Sequence, residues 1–212
     1  MYIVNRKRIP KKLNSGFLLR LVILALFFSV GVILGQVCSS RVSAASAEEL
    51  NRYLSGYFSL GDSKTISGRA FVSALVIYFR YPLLAFFLGF TSLGVILLPA
   101  LTAAYGFFLS FSVCSFAAAY GKDGVLLALA VFGIRCLITL PCYLALAVPA
   151  LEASVSLAAM SFGHGKRAAK VIYGSVDWLR LCVAVLFLLA GVVSELFLSP
   201  YLLQQVLTHI FT

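Results

Sequence analysis

Long apolar runs, broken by short polar or basic segments, dominate the chain. Residues 17–36 form the first run, which is long enough at 1.5 Å per residue to cross ~30 Å of hydrocarbon. It also exceeds the roughly 7–15 residues of a signal-peptide core, so an uncleaved anchor is expected despite the small-residue stretch Val42-Ser43-Ala44-Ala45. Residues 81–120 carry no charged side chain and read as two spans, 81–100 and 101–120. A tight turn between them is expected near Pro99 to Thr102, because proline interrupts a helix. Residues 124–150 give a fourth span holding Pro141 and Pro149, followed by a segment to Met160 placed along the interface. Residues 176–198 give a fifth span, and 199–212 a short apolar tail.

The one extended polar region is 37–80. Ser46-Ala47-Glu48-Glu49 offers a helix start with acids in its first turn. Leu50, Tyr53, Leu54, Tyr57 and Phe58 then recur at helical spacing, as in an amphipathic helix lying on the membrane. Gly61-Asp62-Ser63 makes a turn, and 68–80, bounded by Arg69 and Arg80, reads as an interfacial elbow. The pattern predicts an all-α polytopic membrane helix bundle of five transmembrane helices, with an amphipathic helix in its outer loop.

Composition removes the soluble alternatives. Of the 212 residues, 62% are hydrophobic and 11% charged, too apolar for a water-soluble fold of this size. The formal net charge is +10, from 17 Lys+Arg and 7 Asp+Glu. The cations gather beside apolar runs, in the tail 1–16 at Arg6, Lys7, Arg8, Lys11 and Lys12, and in the loop 163–175 at Lys166, Arg167 and Lys170. That is the distribution of cytoplasmic ends in a multi-pass protein. It gives a cytoplasmic N-terminus and an outer C-terminus, with 37–80 outside. Membrane lipid, not nucleic acid, is the expected surrounding, since no stretch interleaves cations with exposed aromatics. Cys38, Cys114, Cys136, Cys142 and Cys182 make an odd set without Cys-x-x-Cys spacing, so no disulfide framework or zinc site is indicated.

A search for reactive chemistry finds little. His164 and His209 lack metal-ligand spacing and carboxylate company. Gly163-His164-Gly165-Lys166 fails as a phosphate loop, because Met160 and Arg167 stand where glycine and a hydroxyl residue are required. Glu48, Glu49 and Asp62 could supply a carboxylate pair, but adjacent glutamates point about 100° apart on a helix and read as a cap. No catalytic, cofactor-binding or metal site is predicted.

The ionisable residues inside apolar runs are more informative. Arg135 lies about 11 residues past Gly124, hence some 16 Å into the fourth span, and needs a partner or a wet cavity. Glu152 and Glu195 are the available acids. Small residues also form stripes. Gly31-x-x-x-Gly35 lies in the first span, while Thr102, Gly106, Ser110, Cys114 and Ala118 repeat every fourth residue in the third. Such stripes let backbones approach in lipid, within one chain or between two. With five spans to bury, packing within the chain is expected.

Several short motifs resemble the bacterial stage II sporulation protein M family. They are Gly89-Phe90-Thr91-x-x-Gly94, Pro99, Tyr105-Gly106-Phe107, Gly124 with Pro141 after it, and Glu195-x-x-x-Ser199-Pro200. The chain departs from the family pattern at Tyr105, where a lysine is expected, and at Arg135-Cys136, where a polar amide is expected. The resemblance implies a non-enzymatic anchor in the mother-cell membrane for two peptidoglycan-degrading partners, the stage II sporulation proteins D and P, during endospore engulfment and septal wall thinning. Loop 37–80 and the outer ends near Lys122 and Ser199-Pro200 are the expected partner surfaces. The competing expectation is a transporter subunit, an export permease with a polar path around Arg135.

Overall fold

The computed structural model of the chain describes residues 13–40, 68–161 and 175–210. The predicted amphipathic helix, the turn at 61–63, both basic clusters and His164 fall outside these residues. Those described are helical apart from short turns, with no strand among them. The helices are α1 (Leu13–Ser39), α2 (Gly68–Leu88), α3 (Gly94–Ala128), α4 (Ile134–Ser161) and α5 (Ser175–Ile210), with a π-helical turn at Leu129–Gly133. Four of them hold apolar stretches long enough to cross a membrane: Gly16–Ser39, Gly94–Ala118, Arg135–Ser161 and Asp177–Glu195. The apolar part of α2, Ala74–Leu88, is shorter. The molecule is an all-α polytopic membrane helix bundle.

Proline breaks helices less here than the sequence pattern implies, and the helix boundaries differ accordingly. Pro82, Pro99, Pro141 and Pro149 all lie inside helices, and Ser199-Pro200 lies within α5. In a bundle a proline forfeits one hydrogen bond, and neighbouring helices and hydroxyls satisfy the freed carbonyl. The break between the second and third helices therefore falls at residues 89–93, not at Pro99 to Thr102. The Gly89–Gly94 motif forms that turn instead of sitting within a span. The Gly89 amide is shared by the carbonyls of Ala85 and Phe86, Thr91 Oγ1 donates to Leu88 O at 2.9 Å, and a Cβ on Gly94 would strike the Leu88 carbonyl. Residues 68–80, expected as an elbow, are the first half of α2. The segment from 150 to 160, expected along the interface, continues α4.

At the other end, α3 doubles back at Gly121, whose φ of 61° and ψ of −134° are open essentially to glycine alone. Gly124 then lies on the backbone of Phe116, and Phe116 meets Phe132 at 5.5 Å between centroids. The polar turn expected at Lys122-Asp123-Gly124 is thus made one residue earlier. Beyond its own turn, nothing among the described residues lies within 4 Å of where a Gly121 Cβ would project. A Gly121→Ala variant should therefore lose about 1–3 kcal/mol through backbone strain alone, read as a lower midpoint of thermal unfolding in detergent.

The contacts fix relative direction. Gly31 meets Ala103 and Gly35 meets Phe107 and Ser110, so α1 and α3 run parallel. Thr102 meets Tyr143 while Thr91 meets Ser154, so α3 and α4 are antiparallel. Tyr78 lies beside Gly191 and Phe86 beside Trp178, so α2 and α5 are antiparallel as well. Successive helices alternate in direction through the bundle.

Candidate functional site

The centre of the bundle is an aromatic and hydroxyl plug. Tyr105 of α3 stacks on Tyr81 of α2 at 4.6 Å and meets Tyr143 of α4 edge-on at 5.4 Å and Phe28 of α1 at 6.1 Å. Thr102 Oγ1 donates its single proton to Leu98 O at 2.7 Å, so the 2.7 Å contact between Thr102 and Tyr143 has the tyrosine as donor. Tyr143, Thr102, Leu24, Leu98 and Val148 have no exposed surface. A tyrosine and a threonine are tolerated at such depth because the Tyr143 ring packs and its hydroxyl and that of Thr102 satisfy each other. Tyr105 thus joins four helices.

Above this plug lies the Arg135 site. The π-helical turn adds a residue to the helical repeat just before α4 and so re-aims the first side chains of that helix. Arg135 Nε donates to Glu195 Oε2 at 3.2 Å, and its terminal nitrogen donates to Oε1 of the same carboxylate. The paired side chains are 15% and 5% exposed. The guanidinium also lies 5.9 Å from the Tyr78 ring and 6.0 Å from Phe132. Of the two acids suggested by sequence, Glu195 is the partner; Glu152 pairs instead with Arg20 of α1 at 2.8 Å. The two acids cannot serve one cation, because Arg135 and Glu152 lie about 25 Å apart along α4 at 1.5 Å per residue. Arg135 stands at the start of the apolar stretch Arg135–Ser161, nearer the end of its span than its distance from Gly124 suggested.

A cleft of about 100 Å³ opens beside Arg135, lined by Arg80, Tyr81, Tyr105, Ser112 and Thr139 among others. Arg80 places its guanidinium 4.5 Å over the Tyr81 ring and donates to the Tyr81 hydroxyl at 3.3 Å. Thr139 is 3% exposed, and its hydroxyl has no hydrogen-bond partner in the structure. The sequence marked Arg80 only as a segment boundary. The tyrosines were missed because they come from three helices and share no local spacing.

The small-residue stripes meet each other. A Cβ on Gly31 would overlap the Ala103 carbonyl, one on Gly35 would lie 2.5 Å from Phe107 O, and one on Gly106 would lie 2.5 Å from Phe28 O. Ser110 sits against Gly35, and Cys114, one turn on, lies 4.0 Å from the Ser110 hydroxyl. Packing within the chain is therefore the use made of Gly31, Gly35, Gly106 and Ser110. Gly89 and Gly94 serve the α2–α3 turn, where Ser154 Oγ of α4 donates to Thr91 O at 2.7 Å. Among the described residues, no group of three or more His, Cys, Asp or Glu side chains is placed to hold a metal.

No curated protein and no solved structure matches the chain. The family model described as Stage II sporulation protein M matches residues 24–200, from within α1 to Pro200 in α5, and so takes in the glycine seam, the tyrosine plug and the Arg135–Glu195 pair. A match over that much of the chain settles its kinship: this integral membrane protein belongs to the stage II sporulation protein M family.

Proposed function

We propose that the protein is a non-enzymatic membrane scaffold. It anchors peptidoglycan-degrading partners, the stage II sporulation proteins D and P, in the mother-cell membrane while septal wall is thinned during engulfment. The observation that carries this reading is the family match across all five helices. Packing supports it. The one cation within the bundle that sequence singled out is held by Glu195, and the bundle centre below it is filled by fully buried Tyr143, Thr102 and Leu98. An export permease would need a polar path through that level, and the cleft beside Arg135 is the feature that favours it. The plug beneath the cleft weighs for a scaffold.

In this reading the five helices all cross the membrane, with the N-terminus cytoplasmic and the C-terminus outside. The turn at 89–93, the Arg20–Glu152 pair and Trp178 then share the inner end. The chain, tagged and solubilised from sporulating cells, should bring down wall-degrading proteins, and a reporter at residue 60 should lie outside the cytoplasm. Recovery of an ATPase in place of wall hydrolases would support the permease and overturn the scaffold.

A further inference from the structure

Arg80 sits in the body of α2, about 12 Å from its end at Leu88. It is exposed, and among the described residues no carboxylate lies within 4.0 Å of it. Val72, Val76, Leu84 and Phe87 share its face and are 59%, 56%, 50% and 60% exposed, so the cation interrupts an apolar stripe turned toward lipid. Charge at that depth is expensive, and tyrosine contacts alone do not neutralise it. The adjoining cleft is also lined by Arg135, which Glu195 holds, and by Thr139, whose hydroxyl is buried without a hydrogen-bond partner.

We infer that this face of α2 is a docking site for a partner's transmembrane helix bearing an aspartate or glutamate near its middle. The carboxylate would accept from Arg80, whose forked donors suit it, and would have the Thr139 hydroxyl within the same cleft. The size of the cleft favours a side-chain carboxylate over a lipid headgroup. A cleft of about 100 Å³ admits the end of a side chain, while the exposed stripe beside it accommodates the helix that carries it. The inference rests on the scaffold reading and names one surface by which a membrane partner would be held.

The test uses the full chain in phosphatidylcholine vesicles. Its probes are leucine–alanine transmembrane peptides with a central glutamate or a central glutamine, and association is followed by energy transfer. The glutamate peptide should bind about tenfold tighter, the size of one charge-assisted hydrogen bond. Arg80→Gln should erase that preference and Arg80→Lys should keep most of it, which separates lost charge from lost folding. Leu84→Trp should weaken both peptides by crowding the stripe. Equal binding of the two peptides, a glutamate preference that survives Arg80→Gln, or unchanged binding to Leu84→Trp would each overturn the site. So would loss of the preference on exchanging phosphatidylcholine for phosphatidylglycerol, which would assign Arg80 to a lipid phosphate. If the site falls while the intact chain still recovers wall hydrolases, the scaffold reading stands without it.

Discussion

Replacing Gly31 with leucine should prise α1 away from α3 and destabilise the protein by on the order of 3 kcal/mol. The obstacle is backbone. Even a Cβ at this position would overlap the Ala103 carbonyl and come within 3.0 Å of the Ala103 Cα, and neither can rotate aside. The same loss is expected from Gly106→Leu, where the Phe28 carbonyl lies 2.5 Å from the new carbon. In lipid no hydrophobic force pushes helices together, so close approach supplies the dispersion and Cα–H···O contacts that hold the pair. Leu34→Ala is the control, because Leu34 is 55% exposed on α1 and should change little. Unfolding of each variant in mixed detergent measures the differences. Stability equal to wild type in Gly31→Leu would mean that the seam does not hold α1.

A comparable loss, on the order of 3 kcal/mol, is expected for Glu195→Ala, which takes from Arg135 the carboxylate that accepts two of its hydrogen bonds. The pair is 15% and 5% exposed, so solvent can do little to replace the missing carboxylate. Replacing both residues with leucine should restore stability to near wild type or above it, since an apolar pair needs no counter-charge. A double-mutant cycle then isolates the coupling. Additive effects in that cycle would deny the bidentate contact. The Arg20–Glu152 pair, with side chains 28% and 48% exposed, should show a much smaller coupling.

Much of the bundle was legible in the sequence because lipid imposes a coarse rule: roughly 20 apolar residues make a span. The first, third and fifth helices were found near their observed positions for that reason. Small residues spaced by four also carried their message, since Gly31 and Gly35 lie against the stretch of α3 that holds Gly106 and Ser110. Boundaries were hidden by proline, which terminates helices in water far more reliably than in a packed bundle. Glu195 and Glu152 could be named as acids, but assigning one to Arg135 required knowing how α4 and α5 lie against each other. The tyrosine plug and the lipid-facing Arg80 are products of helix rotation, which a uniformly apolar helix does not encode in its periodicity.

The parallel seam between α1 and α3 has a consequence for how the chain is made. In order of synthesis, Gly31 and Gly35 are in place long before Ala103 and Gly106 exist. The first helix must therefore wait in the translocation machinery or in bare lipid, with its neighbour still untranslated and its narrow side uncovered. A nascent chain whose α3 is still inside the ribosome would hold that side open to any insertion factor, and one whose α3 has entered the membrane would have closed it.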